Sequence, residues 1–417
     1  MRRRGSLSLL SLSVAACLWS RAEARPVNEL SIAAGIDSAY DSNVFNGRGP
    51  DFVNRIDPHA SYRLIDPRVK LELSYDLGYW TYALGKAENS INQRADFAVE
   101  GWATRRLFLH ADDEFSRAED PGFLSRIGVV APQIGIFDNV ADAGGSFNIT
   151  RRVYIGLGYT YHWARFDQYT PQQALIFPPL FDGAEHDAAG NLGFKVTRLD
   201  DLRFQGRFQD FTAGPQASDS NRWNIGATYS PTVGWRHQFL RELEAVADVG
   251  PTFYQALHDS INIPNAPGSG WTYRLNAMLR WYTPSWRAAA SYTHDLVGAT
   301  GAGSALWADY VYAQAGYHWL EKLDAHAGAG YFRNGIAPSN EWSYDGVNSD
   351  LIVDWRVINN LRLGAYYTVR WQRTGPGVLA PGMVNAQFPT VLRQIVGLRL
   401  LAVLGADARP PRREVHP

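Results

Sequence analysis

Apolar and polar residues alternate along this chain over stretches too long to be chance. Leu361, Leu363, Ala365, Tyr367, Val369 and Trp371 interleave with Arg362, Gly364, Tyr366, Thr368, Arg370 and Gln372. Val153, Ile155, Leu157, Tyr159, Tyr161 and Trp163 do the same against Tyr154, Gly156, Gly158, Thr160 and His162. A period of two sends successive side chains to opposite faces of a strand. Each such strand therefore has one apolar and one polar face. When the unit repeats along the whole chain, one face can meet lipid and the other water, which is the pattern of a transmembrane β-barrel.

Short turns separate pairs of these strands: Asp66-Pro67-Arg68, Thr104-Arg105-Arg106, Thr150-Arg151-Arg152, Arg198-Leu199-Asp200, Thr283-Pro284-Ser285, Leu320-Glu321-Lys322 and Ile358-Asn359-Asn360. An eighth connection, around Pro231 to Leu240, is longer. Between the hairpins lie stretches rich in Gly, Pro, Asn and Asp, such as 116–135, 167–185, 255–270 and 373–388, which read as exposed loops. Short and long connections alternate strictly. The expected fold is all-β, an antiparallel up-and-down barrel of eighteen strands, or sixteen if 116–149 and 231–245 hold fewer than drawn. Both termini then fall on the short-turn, periplasmic side. A soluble β-sandwich also alternates, but strands of ten or more residues are long for one. A propeller would repeat a four-stranded blade, whereas the period here is two strands.

Met1 to Ala24 reads as an export signal, with Arg2, Arg3 and Arg4, an apolar stretch from Leu7 to Leu18, and an Ala22-Glu23-Ala24 cleavage site. Val14-Ala15-Ala16-Cys17 offers a competing lipobox reading. The organisation expected is thus a signal peptide over 1–24, a barrel over 25–404 and a disordered periplasmic tail over 405–417. Cys17 is the only cysteine, so a mature chain without it has no disulfide. A net charge of −1 argues against nucleic acid as a partner. Abundant aromatics (14 Trp, 21 Tyr, 19 Phe) suit two membrane–water interfaces, with outer-membrane lipid as the surroundings.

The apolar set, for example Val69, Leu71, Leu73, Tyr75, Leu77 and Tyr79, is expected to face lipid. The alternate set is charged. A charge facing lipid at the midplane costs about 2–4 kcal/mol, so these side chains are expected to face a wet lumen. The candidate pore-lining residues are Glu72, Asp76, Asp96, Glu100, Asp112, Arg203, Arg207, Asp248, Arg274, Arg280, Arg287, Asp350, Asp354, Arg362, Tyr366 and Arg370. Strands before residue 120 lean acidic on this face, whereas 202–210, 271–287 and 361–399 lean basic. Two readings follow: lateral ion pairs that brace the wall, or a transverse field that guides polar solutes. Inward aromatics (Trp80, Tyr82, Phe108, Tyr154, Tyr310, Tyr312, Phe332, Tyr366) either fill space beside glycines or form a stacking track for sugars.

No catalytic site, cofactor or metal is expected. Ser291, His294 and Asp295 cannot form a triad alone, since strand neighbours point to opposite faces. His318 and His326 share a hairpin, but no Cys and no tight His–carboxylate spacing supports a metal.

The stretch Tyr40-Asp41-Ser42-Asn43-Val44-Phe45, following an exported start, resembles the opening of the β-barrel porin 2 family. The resemblance covers nearly all of the mature sequence, although only the Asp-Ser-Asn stretch is specific. Members accompany Wzy-dependent exopolysaccharide export, so the resemblance implies an outer-membrane exit for a glycan and a periplasmic polysaccharide export protein as partner. The residues themselves allow two rivals: a porin for small polar solutes and a non-conducting scaffold whose loops do the work. Asp41, Ser42 and Asn43 are expected to shape the first loop. The chain departs from the usual aromatic last residue by continuing from Leu401 into a Pro- and Arg-rich tail. The apolar run Leu175 to Phe181 is a candidate to constrict the lumen, cap the barrel or dock a partner.

Overall fold

The computed structural model describes residues 27–44, 49–119, 134–167, 181–215, 223–256, 269–299, 304–319, 322–336, 342–374 and 390–405. The expected export signal, the lipobox, the 406–417 tail and the apolar run up to residue 180 lie outside them. The strands in chain order are β1 (Val27–Asp41), β2 (Asp51–Ile65), β3 (Val69–Tyr82), β4 (Ser90–Trp102), β5 (Leu107–Ala118) and β6 (Ile136–Asn148). They continue with β7 (Val153–Phe166), β8 (Phe181–Lys195), β9 (Asp200–Pro215), β10 (Trp223–Gln238), β11 (Leu243–Ala256) and β12 (Ser269–Tyr282). The last are β13 (Trp286–Ala299), β14 (Ser304–Trp319), β15 (Leu323–Ile336), β16 (Trp342–Ile358), β17 (Leu361–Thr374) and β18 (Val391–Gly405). Every strand pairs antiparallel with its chain neighbours, and β1 pairs with β18 from Ser31↔Gly405 to Asp41↔Ile395. The sheet is a closed barrel of 18 strands with no free edge, so every strand finds its hydrogen-bonding partner within the wall.

The short turns form for a local reason. Thr104, Thr150, Thr197 and Thr283 each accept backbone N–H bonds on Oγ1 from two or three residues ahead, as at Leu107 (3.0 Å), Val153 (3.0 Å), Asp200 (3.0 Å) and Trp286 (2.9 Å). The hydroxyl substitutes for a backbone acceptor and fixes the reversal within a few residues. The first strand starts and the last strand finishes at this same rim, since Val27 pairs with Ile65 beside one short turn and Ser31 with Gly405.

Three prolines sit inside strands, Pro58 in β2, Pro231 in β10 and Pro251 in β11, the last two within one break of the β10–β11 ladder. Pro231 does not end β10, as the longer connection expected there required; the strand runs on to Gln238. The β10–β11 ladder skips Ser230 to Thr232 and resumes at Val233↔Val249, and the Ser230 and Thr252 hydroxyls bond at 2.8 Å across the gap. Pro58 sits at a similar break, where the β2–β3 ladder passes from Ile56↔Tyr79 to His59↔Asp76. A missing N–H is tolerated where the ladder is already open on one side.

The outer face carries the apolar set. Trp281, Trp286, Trp319 and Trp355 are exposed near the short-turn rim, Trp271 and Tyr40 near the other, with Leu157, Leu279, Val311 and Leu351 between. It is not wholly apolar, however. Asp113 with Asn139, and His186 with Asp210 opposite it, lie on outward positions of β5–β9. His294, Asp309, Arg333, Asp345 and Arg373 follow one ladder line across β13–β17, rising toward the long-loop rim.

Of the inward aromatics named from sequence, Phe108 packs edge-on against Trp102 with ring centroids 5.4 Å apart. Tyr154, Tyr310, Tyr312, Phe332 and Tyr366 each lie over a glycine of a neighbouring strand: Gly193, Gly330, Gly328, Gly346 and Gly397 in turn. A Cβ at any of these glycines would run into the ring. Trp80 and Tyr82 pack with Val44, Val53 and Ala87 beneath the first loop. These rings lie against the wall, which supports space filling rather than a projecting sugar track.

The Asp41-Ser42-Asn43 stretch closes the barrel. Asp41, fully buried, binds the Arg393 guanidinium of β18 (Nη2–Oδ2 2.6 Å, Nε–Oδ2 2.9 Å) and accepts the Asn43 N–H at 3.0 Å. Ser42 N–H donates to the Gln394 carbonyl at 2.9 Å, and Gln394 N–H donates back to Ser42 Oγ at 2.8 Å. The stretch does shape the first loop, and it also ties the first strand to the last.

Candidate functional site: a narrowed, charged lumen

Along the ladders the candidate lining residues share the face opposite the exposed apolar set, but not one kind of environment. On β3–β6 the carboxylates sit well out from the wall. Glu72 meets Arg63 (2.8 Å) and Lys70 (3.2 Å), and Asp76 meets His59 (2.7 Å). Asp96 meets Arg94 (2.9 Å) and Ser74 (2.9 Å), and Glu100 reaches Lys70 only at 3.8 Å. Asp112 stands directly opposite Asp142, which is held by His110 (3.0 Å) and Thr160 (2.8 Å).

On the arginine-rich strands several charges are more closely matched. Asp354 holds Arg399 in a bidentate pair (Nε–Oδ1 3.0 Å). Asp350 pairs with His326 (3.1 Å). Arg362 is only 5% exposed and lies 3.9 Å from Asp324, and Tyr366 donates to Asp37 at 3.2 Å. Arg370 stands opposite Asn348 and Arg393. Arg280 and Arg287 lie near the short-turn rim, opposite Glu244 and Tyr282, away from the rest.

The remaining residues gather on one stretch of the inner wall, β8 to β13. The β12–β13 ladder stops at Leu275↔His294, whereas β13–β14 continues to Ala299↔Ser304. Above His294 the upper β13–β14 hairpin leaves β12 and packs inside the wall. There Leu296, fully buried, meets Phe211 of β9 and Tyr254 of β11, with Trp307 alongside. Residues of β13 come within 8 Å (Cα–Cα) of β8, and β14 of β10, although neither pair shares a ladder. At the base of this contact Arg207 joins Asp187 of β8 (Nε–Oδ2 2.7 Å) to Asp295 of β13 (Nη1–Oδ2 2.7 Å). Arg274 approaches the same Asp295 oxygen at 3.3 Å. Arg203 grips Asp248 at 2.8 and 3.0 Å. Glu185 takes a bond from Gln209 (2.8 Å), whose own oxygen accepts from Thr228 (3.0 Å). An 18-stranded circumference otherwise leaves an aqueous channel. Here apolar packing and a four-member ion network narrow one side of it.

Arg203, Arg207, Asp248 and Arg274 were among the lining residues expected from sequence; Asp187, Glu185 and the part Asp295 plays in this network were not. Nothing in the alternation of β13 signals that its upper half leaves the wall. The Gly298 to Ser304 run of small residues was the one available hint. The two histidines that share a hairpin, His318 and His326, each take their own aspartate, Asp324 (2.5 Å) and Asp350. Ser291 faces the lumen while His294 faces outward. Among the described residues no three His, Cys, Asp or Glu side chains gather as a metal set.

A closed barrel that is apolar outside and charged inside has the form of a membrane-spanning conduit. No protein-family model and no curated protein matches the chain, so the resemblance carried by Asp41-Ser42-Asn43 rests on those residues alone. Similar solved structures include the Pseudomonas aeruginosa protein OccK5, 11% identical, covering 91% of this chain and 98% of that one at a TM-score of 0.42. OccK2 of Pseudomonas aeruginosa, solved with glucuronate, is 9% identical with the same coverages and a TM-score of 0.44. The siderophore receptor PirA of Acinetobacter baumannii is 8% identical, covering 91% and 81%, at 0.45. Likeness this distant carries no argument about substrate.

Proposed function

We propose that this chain is an outer-membrane β-barrel channel that passes small polar solutes, seated in lipid with both termini on the periplasmic side. The observation that carries the reading is the bridge from Asp187 through Arg207 to Asp295. It ties the in-folded β13 segment to the inner wall and narrows one side of the lumen, within a barrel whose outer face carries the apolar set. Charged groups lining a narrowed, wet passage select by size and charge, and they replace part of a solute's hydration as it passes. The test is permeation by the purified full-length chain. Liposomes containing it are expected to swell in small sugars or amino acids and to exclude longer oligosaccharides. Absence of both swelling and current would leave the scaffold reading.

Exit of an exopolysaccharide, with a periplasmic export protein as partner, is the function the family resemblance implies. It has no support beyond that resemblance, and a thickened lumen wall suits a threading polymer less than a small solute. Normal surface polysaccharide after deletion of the gene would end it.

A further inference from the structure

We infer that the channel favours cations, and that its natural solutes carry ammonium or guanidinium groups. The inference rests on the channel reading above and names the substrate class for the same lumen. It comes from how differently the two signs of charge are presented. On β3–β6, Glu100, Asp112, Glu114 and Asp142 stand among inward carboxylates whose only fixed cations on those strands are Lys70 and Arg94. Side-chain exposure is 51% for Glu100 and 45% for Glu114, and Asp112 is exposed as well. Three arginines of the other strands are withdrawn, Arg393 at 5% exposed, Arg207 at 13% and Arg274 at 18%, and each of these three is already met by a carboxylate. Arg203, Arg236 and Arg399 are more open but each is paired with a carboxylate, and Arg280 and Arg287 stand exposed near the short-turn rim. Around the whole described circumference, inward carboxylates outnumber inward arginines and lysines.

Geometry argues that this is more than bracing. Asp112 faces Asp142 and Asp96 faces Glu114 in direct cross-strand register. Like charges directly opposite destabilise a sheet, so a wall built only for stability would not place them so. Arg94 bridges one such pair (2.9 Å to Asp96, 3.0 Å to Glu114). At the other, His110 and Thr160 both bind Asp142. A lumen of one prevailing sign with low-dielectric walls concentrates counter-ions.

The experiment is the reversal potential of the full chain in a planar bilayer across a KCl gradient, at a pH above the histidine range. The expected K⁺/Cl⁻ permeability ratio is severalfold above one at low salt, collapsing toward one as salt screens the wall. The combined variant E100Q/D112N/E114Q should lower the low-salt ratio roughly twofold or more, and R280Q/R287Q should raise it. The wild-type salt dependence needs no variant and stands whatever those proteins do on folding. Current with a low-salt ratio at or below one overturns the inference and leaves the channel reading intact. Absence of any current overturns both. In liposomes, an amine-bearing solute should enter faster than a carboxylate of equal size, and the reverse order would also overturn it.

Discussion

The wall of β3–β6 and the bridge between β8, β9 and β13 use the same side chains to opposite ends. In the first, carboxylates are exposed, loosely paired and set against one another. In the second, arginines and carboxylates are largely buried and interlocked between the in-folded hairpin and the inner wall, with Leu296 on Phe211 and Tyr254 above them. An exposed ion pair contributes about 0–1 kcal/mol, whereas breaking a buried pair by removing one partner costs about 3–5 kcal/mol. One region therefore sets the field that a solute meets, and the other holds the shape of the passage.

That contrast breaks most visibly at Arg207. R207A leaves Asp187 and Asp295 facing each other without their bridge, and should lose about 3–5 kcal/mol of stability against chemical denaturation in detergent. Conductance should rise at the same time, because the hairpin loses its anchor. Next in size is the seam: D41N leaves the Arg393 guanidinium buried with a weaker acceptor, and should cost about 2 kcal/mol with faster amide exchange in β1. Smaller again is G397A, whose new methyl would meet the Tyr366 ring; a loss of about 1–3 kcal/mol is expected. Adding Y366A should make the double variant less destabilised than the two losses taken together. Smallest is E100Q/D112N/E114Q, which should shift stability by no more than about 1 kcal/mol. A loss as large as that of R207A there would erase the distinction between the two regions.

The alternation made most of this barrel legible before its structure. Period two assigned Leu71, Leu73 and Tyr75 outward and Glu72 and Asp76 inward, because a strand has only two faces and water and hydrocarbon cannot exchange places. Strand ends were less legible where proline intervened. Pro231 reads as a stop because it lacks an N–H, yet the open β10–β11 ladder at that point needs none. Asp41 read as a loop residue; its bond to Arg393 depends on barrel closure, 352 residues away along the chain. Outward polar residues such as Asp113 and His186 were hidden within apolar runs. The lumenal bridge was least legible. Local alternation in β13 is the same whether the hairpin stays in the wall or leaves it, and only contacts between β8, β9 and β13 reveal the difference.

Single-channel conductance tests the central claim most directly, comparing the full chain with a variant whose residues 297–305 are replaced by a short Asn-Gly turn. A narrowed channel predicts discrete steps in the parent and clearly larger ones in the shortened protein, since the change frees the hairpin whose Leu296 and Trp307 pack on the inner wall. Identical steps would mean that the hairpin does not narrow the passage. Silence from both, with folded barrels present, would contradict the account that this barrel conducts.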